Sequence, residues 1–293
     1  MMGMNDDPRT LVAELVSREL GRSTSHIRLL GRGADHLAFD VDGDLVARVA
    51  TGTSDTGPSQ VEREFRLLVL VATVAPIPVP TVAAVDASNG VMVTTKLAGV
   101  SLLDRPSRQP ERLSPQLAEL LASLQGLPIG ELRIIVDEDD YAPGVWLDDA
   151  TSSYSRVAHA LDERQRRLVE GFLDSPAPAP ATERVLCHND LGAEHLLARA
   201  DGTALTGVID WTDASLTDPT IDLARLYRDL GPPIATDIAA RLGLDLAATL
   251  PRAAFYGRCA LLEDLAYGLT TGDRRYSNAA VANLARTFAQ GAS

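Results

Sequence analysis

The chain is poor in cysteine, in lysine, in aromatic side chains and in long apolar runs. Its 293 residues include two cysteines, Cys187 and Cys259, too few for a disulfide framework and suited to a reducing compartment. No apolar run approaches the roughly 20 residues that a membrane-spanning helix requires. Residues 1–9 are polar and acidic, without the basic end and apolar stretch of a signal peptide. The expectation is a cytoplasmic protein with no membrane partner. Positive charge is also scarce. Against 40 Asp and Glu stand 27 Lys and Arg, a net charge of −13, which argues against nucleic acid as a partner and mildly favours cationic ligands. Lys96 is the only lysine; the other basic residues are arginines.

What is present is ordinary for a soluble globular protein: 45% hydrophobic and 23% charged residues, in a chain long enough for a large core and two lobes. Residues 8–20 carry apolar positions at helical spacing, with Gly21 as a stop. Residues 27–50 read as two or three strands, with Gly31 and Gly33 in one turn and Asp42-Gly43 in another. The Gly/Ser/Thr-rich stretch 51–60 reads as a loop, and 61–74 as a helix ended by Pro76, Pro78 and Pro80. Two strands follow, in 79–86 and 90–99. Beyond Gly99 the balance reverses, with helical periodicity over 114–125, 151–173, 219–230, 234–249 and 251–270. The expected organisation is a sheet-rich lobe over 1–97 and a larger helical lobe over 98–293.

One stretch breaks the helical run: RVLCHNDLGAEHLLARADGTALTGVIDW, residues 184–211. Val185-Leu186-Cys187 reads as a short buried strand ending in the polar triplet His188-Asn189-Asp190. Leu196–Ala198 and Leu205–Ile209 read as strands around Asp201-Gly202, a hairpin-turn dipeptide. A loop and a hairpin would then hold two carboxylates, Asp190 and Asp210, near one another. For a lone Asp a solvated turn is the commoner reading. The ordered set carries more weight. Phosphoryl transfer from a nucleotide needs a carboxylate near the acceptor hydroxyl, metal ligands, a cation on the phosphates and a Gly-containing loop over them. Taken along the chain, Gly31/Gly33, Arg48, Glu64, Asp190, His195 and Asp210 offer a candidate for each of these parts.

His188-Asn189-Asp190-Leu191, the ligand-type residue His195, VIDW at 208–211 and DPTIDLARL at 218–226 resemble the aminoglycoside phosphotransferase family. A His at 195, within HNDLGAEHLL, is similar to the macrolide phosphotransferases. The resemblance covers roughly residues 27–275, and 185–226 is its specific part. It implies an α+β, protein-kinase-like fold with a small, mostly antiparallel sheet lobe and a larger helical lobe. It implies Asp190 as the group that orients the acceptor hydroxyl and accepts its proton late in transfer, with His188 structural. Asp210 and His195 would ligate Mg2+, although magnesium prefers oxygen to imidazole. Arg48 stands where kinases carry a phosphate-binding lysine, with Glu64 as its partner and Glu62 as the nearest competitor. Hinge residues 94–97, Thr95 and Leu97 among them, would bond the base edge of ATP or GTP through backbone. Asp222 would hold the catalytic loop through backbone donors. Asp218, before Pro219, reads independently as a helix N-cap.

The expected protein is a monomeric small-molecule kinase acting on a hydroxyl of an aminoglycoside or macrolide antibiotic. Two alternatives stand beside it: a metabolic kinase for an amino alcohol or sugar, and a catalytically silent nucleotide-binding module. Asp148, Asp149, Asp213, Glu263 and Asp264 are acids suited to a cationic acceptor. Cys187, on a strand next to His188, is expected to be buried and inert.

Overall fold

The computed structural model describes residues 7–33, 36–51 and 57–289, with side chains of the second helix from Gln60 onward. Contacts divide the chain into two units, residues 1–98 with 207–212 and residues 99–206 with 213–293.

In the first unit, α1 (Pro8–Leu20) starts where the Asp7 carboxylate accepts the Arg9 N–H and stops at Gly21, whose φ of 63° is left-handed. Then come β1 (Ile27–Arg32), β2 (His36–Val41), β3 (Leu45–Ala50), α2 (Gly57–Val74), β4 (Val82–Asp86) and β5 (Val91–Thr95). The strands form one antiparallel sheet in the order β1-β2-β3-β5-β4. Asp42 and Gly43, both at positive φ, make the β2–β3 turn. Alternation along the strands decides what each face carries. Ala47 and Val49 of β3 and Val91 and Val93 of β5 pack in one core with Val12, Leu15 and Val16 of α1. Arg48, between two of these, therefore points to the opposite face.

The second unit contains β6 (Val100–Ser101), α3 (Ser114–Gln125), α4 (Ile129–Leu132), α5 (Pro143–Val157), α6 (Glu163–Leu173), β7 (Val185–Cys187) and β8 (Leu196–Ala198). β9 (Leu205–Val208) begins in it, and β10 (Ser215–Thr217), α7 (Ile221–Leu230), α8 (Pro232–Arg241), α9 (Leu246–Thr271) and α10 (Arg274–Phe288) complete it. β7 and β10 form an antiparallel ladder, Cys187 opposite Ser215. α9 packs against α5, α7 and α10, and from Ala253 to Gly268 most of its side chains are buried.

Several sequence expectations need correction. The helix expected over 151–173 is two helices: Leu161 is extended, and Asp162 and Gln165 form a capping box that starts α6 afresh. The break expected near 250 lies earlier. Gly243 adopts a left-handed φ of 69° and Asp245 caps α9, which then runs through Pro251. α7 begins at Ile221, not 219, because the Asp218 carboxylate takes the Thr220 N–H and shapes a turn ahead of the helix. Of the loop expected over 51–60, residues 52–56 lie outside the described residues, and 57–60 already belong to α2. Gly31 does not share a turn with Gly33. It lies within β1 at a β-bulge, while the Gly33 N–H bonds the His36 carbonyl. Ala34 and Asp35 of the same glycine loop lie outside the described residues. β6, β10 and α10 were not anticipated, the strands being only two and three residues long.

Candidate active site

In the first unit a half-buried charge cluster forms around Arg48. Glu64, the one of the two candidate acids that faces β3, accepts from Arg48 Nη1 at 2.5 Å, and Asp210 Oδ1 lies 3.2 Å from the same nitrogen. Arg48 Nη2 bonds the Thr212 hydroxyl and lies 3.2 Å from His36 Nδ1; Thr212 in turn donates to Asp210 Oδ1 at 2.8 Å. Glu62 is engaged elsewhere, by Arg66 one turn on. Lys96 is likewise committed: its ammonium bonds Asp40 and holds that carboxyl below the usual range. Asp210 sits at φ 62°, a left-handed conformation that Asp tolerates better than most residues. Among the expected hinge residues, Thr95 spends its N–H on the Thr81 carbonyl, and Lys96 spends its N–H on Asp44. The Leu97 side chain fits against Gly207, where an added Cβ would come within 2.5 Å of it.

The second unit holds the loop that follows β7. His188 is fully buried. Its N–H and that of Asn189 are both accepted by the Asp222 carboxylate, at 2.8 and 2.9 Å. Two converging donors hold Asn189 at φ 68°, and the Asp190 N–H turns back to His188 Nδ1 at 3.3 Å. His195 Nδ1 is 2.8 Å from the Asp190 carbonyl. That oxygen can only accept, so the neutral ring carries its proton on Nδ1 and its lone pair on Nε2. Asp190, Glu194 and His195 each offer a ligand-type atom within 4.8 Å of the others. Burial works against ionisation of Asp190, but Arg225, His195, Arg228 and His188 outweigh it and hold the carboxyl below its ordinary range. Asp218 accepts from Thr220, Arg252 and Tyr256, tying α7 to α9. Cys187 is buried, its thiol pushed far up by desolvation, and is not a nucleophile.

Asp190 opens onto a cavity of about 540 Å³. Five more acids line it, Asp149, Glu194, Asp213, Glu263 and Asp264, with Arg225 as the lining cation. Its aromatic wall is Tyr141, Trp146, Tyr267 and Tyr276, a large share of a chain with six Tyr and two Trp. Asp148 stands exposed on the helix that carries Asp149. Beneath the cavity Arg228 is buried against Asp229 at 2.7 Å, Asp264 at 2.8 Å and Glu194 at 3.5 Å. Gly192 lets this network approach the loop, since an added Cβ would lie 2.3 Å from Glu194 Oε2 and 2.6 Å from Arg228 Nη2.

The sequence reading missed Thr212 and His36 beside Arg48, and Arg225, Glu194 and the aromatic wall beside Asp190. Arg225 had one usable signal. It follows Asp222 by three residues, which on a helix is the same face.

Burial of these acids makes stability depend on pH. Desolvation pushes Asp222 up to about 7, against the His188 and Asn189 donors, and pushes Asp264 up to about 8, against Arg228. An unfolded Asp titrates near 3.9. Between about pH 4 and about pH 8 the folded chain therefore holds protons that the unfolded chain has released, and stability falls as pH rises through that window. Carboxyls held low, such as Asp86 at about 2, act only below it. The thermal unfolding midpoint should drop from about pH 5 to about pH 8, and Asp264→Asn should make the drop shallower. A midpoint that stays level or climbs would contradict this assignment.

Residues 26–256 match the phosphotransferase enzyme family, and the chain belongs to that family. Viomycin phosphotransferase of Streptomyces vinaceus is 26% identical over 170 residues, spanning 55% of this chain and 59% of that protein's length. Solved phosphotransferase structures share the fold, two of them as follows. The GDP complex of wild-type aminoglycoside 2′-phosphotransferase-IIIa is 22% identical, with a TM-score of 0.70 over 97% of this chain and 99% of that one. Macrolide 2′-phosphotransferase type I is 20% identical, with a TM-score of 0.60 over 97% and 99%. The α+β, protein-kinase-like fold class expected from the sequence is the one found.

Proposed function

We propose that the chain is a small-molecule kinase that transfers the γ-phosphate of ATP or GTP to a hydroxyl of a polycationic antibiotic of the aminoglycoside type. The observation that carries this reading is the cavity at Asp190, six carboxylates and four aromatic rings around one guanidinium. Such a surface suits an acceptor that combines ammonium groups with hydroxyls and sugar faces, and suits a macrolide with a single amino sugar less well.

Asp190 would orient the acceptor hydroxyl and accept its proton late in transfer. Asp222 would keep its loop in shape, and His188 and Asp218 would support it from behind. Arg48, positioned by Glu64, would contact donor phosphates under the Gly33 turn, with Gly31 shaping the strand that leads into it. Of the residues around Thr95, Leu97 would offer its backbone to the base, because the Thr95 and Lys96 amides are already committed. As the expected magnesium ligands, Asp210 would supply the carboxylate oxygen that the ion prefers, and His195 would supply Nε2, which keeps its lone pair while Nδ1 carries the proton. Magnesium, when bound, neutralises charge on the transferring phosphate.

The test is nucleotide consumption with ATP and GTP in parallel across aminoglycosides, viomycin, macrolides and amino alcohols. Turnover is expected with a polycationic acceptor. Turnover confined to small amino alcohols would replace this reading with a metabolic kinase, and none with any pair would favour a nucleotide-binding module.

A further inference from the structure

We propose that Arg225 sets acceptor register: it occupies the charge of Asp190, so that a cationic acceptor presents a hydroxyl there and not an ammonium. The inference rests on reading the cavity as the acceptor site. In a cavity lined by six carboxylates, an ammonium is drawn to Asp190 as readily as to Asp149, Asp213 or Glu263. That pose is unproductive, because a protonated amine has no lone pair with which to attack phosphorus. Something must distinguish Asp190 from its neighbours, and Arg225 is placed to do so.

Its Nη2 lies 3.6 Å from Asp190 Oδ1, and its side chain is only 12% exposed. The guanidinium carbon stands 5.7 Å from the centre of the Trp146 ring, and that ring is braced edge-on by Tyr256 at 5.4 Å. Other charges act on Arg225 from two sides. Glu263 and Asp264 of α9 attract it, and Arg228, one turn along α7, repels it. The cation is thus held against Asp190 by aromatic and carboxylate neighbours. An arriving ammonium would meet a guanidinium already paired there. A hydroxyl brings no charge and can still donate to a carboxylate, which has room for several donors. The remaining acids are left to receive the ammonium groups.

Spermine, a polyamine without hydroxyls, isolates the effect. Its affinity for the full chain would be measured by titration calorimetry for wild type, Arg225→Met, Arg225→Gln, Arg225→Lys, Asp190→Asn and the Arg225→Met/Asp190→Asn pair. Wild type should bind. Arg225→Met and Arg225→Gln should bind about tenfold more tightly, because Asp190 becomes available to an ammonium. Arg225→Lys should stay near wild type. In the Asp190→Asn background Arg225→Met should gain little, a coupling that a general change in net charge would not produce. A variant with a damaged fold loses affinity and does not gain it, so the sign separates this role from a structural one. An equal gain with and without Asp190, or no gain in either uncharged variant, overturns the inference and leaves the cationic cavity intact. Absence of spermine binding throughout overturns the cationic-acceptor reading and this inference with it.

Discussion

Asp190→Asn is expected to lower turnover by about 10²–10⁴-fold, the usual contribution of an orienting base, with donor affinity unchanged. The substitution keeps the shape of the side chain and removes the charge that would receive the hydroxyl proton. The loop should survive, because its geometry comes from Asp222 and the His188 and Asn189 amides, not from the Asp190 carboxylate. Arg225 also keeps Glu263 as a counter-charge, so no cation is stranded. Single-turnover phosphorylation of whichever acceptor proves active gives the rate, and a nucleotide titration gives donor affinity. A variant that keeps more than half of wild-type turnover would remove Asp190 from the reaction.

Arg48→Ala should weaken donor use by about 10²-fold or more, the scale reached when a preorganised charge stabiliser is lost. Two effects add. The phosphates lose their cation, and Glu64 and Asp210, both within 3.2 Å of Arg48 Nη1, are left facing one another without it. Lys96 cannot move in, since it is committed to Asp40 at the far end of the sheet strands. Arg48→Lys should recover part of the loss. It restores the charge, but one ammonium cannot reproduce the two-nitrogen grip on Glu64 and Thr212. The check is nucleotide affinity for the three proteins alongside their unfolding midpoints. If Arg48→Ala binds nucleotide as wild type does, Arg48 is a structural cation only.

The first unit was legible because its signals are local. Alternating apolar residues, the Asp42-Gly43 turn and the helix stops each lie within a few residues of the structure they specify. The stretch from His188 to Asp210 was legible for the same reason: strand, polar triplet and hairpin are contiguous. Helix boundaries in the second unit were less so. Helical periodicity continues across Leu161 and Pro251 reads as a break, yet cap geometry shows that the chain breaks at the first and not at the second.

Sequence alone determined the family, the α+β class, the order of the charged residues along the chain and the acidity of the whole molecule. It also determined that arginine, in a chain with one lysine, stands at the centre of the first unit's charge cluster. Tertiary structure alone decided which acids matter. Asp149 of α5, Asp213 ahead of β10, and Glu263 and Asp264 of α9 come from three separate stretches of chain and look like solvated acids until folding gathers them at one cavity. Glu64 was already the partner expected for Arg48, but that it and not Glu62 meets the guanidinium depended on which face of α2 meets β3. The pairing of Arg225 with Asp190 depended on α7 packing behind the loop. The physical reason is common to all three. A side chain's charge is a property of the residue, but its field acts on whatever folding brings within a few ångströms, and in water or at a screened surface the same charge does little.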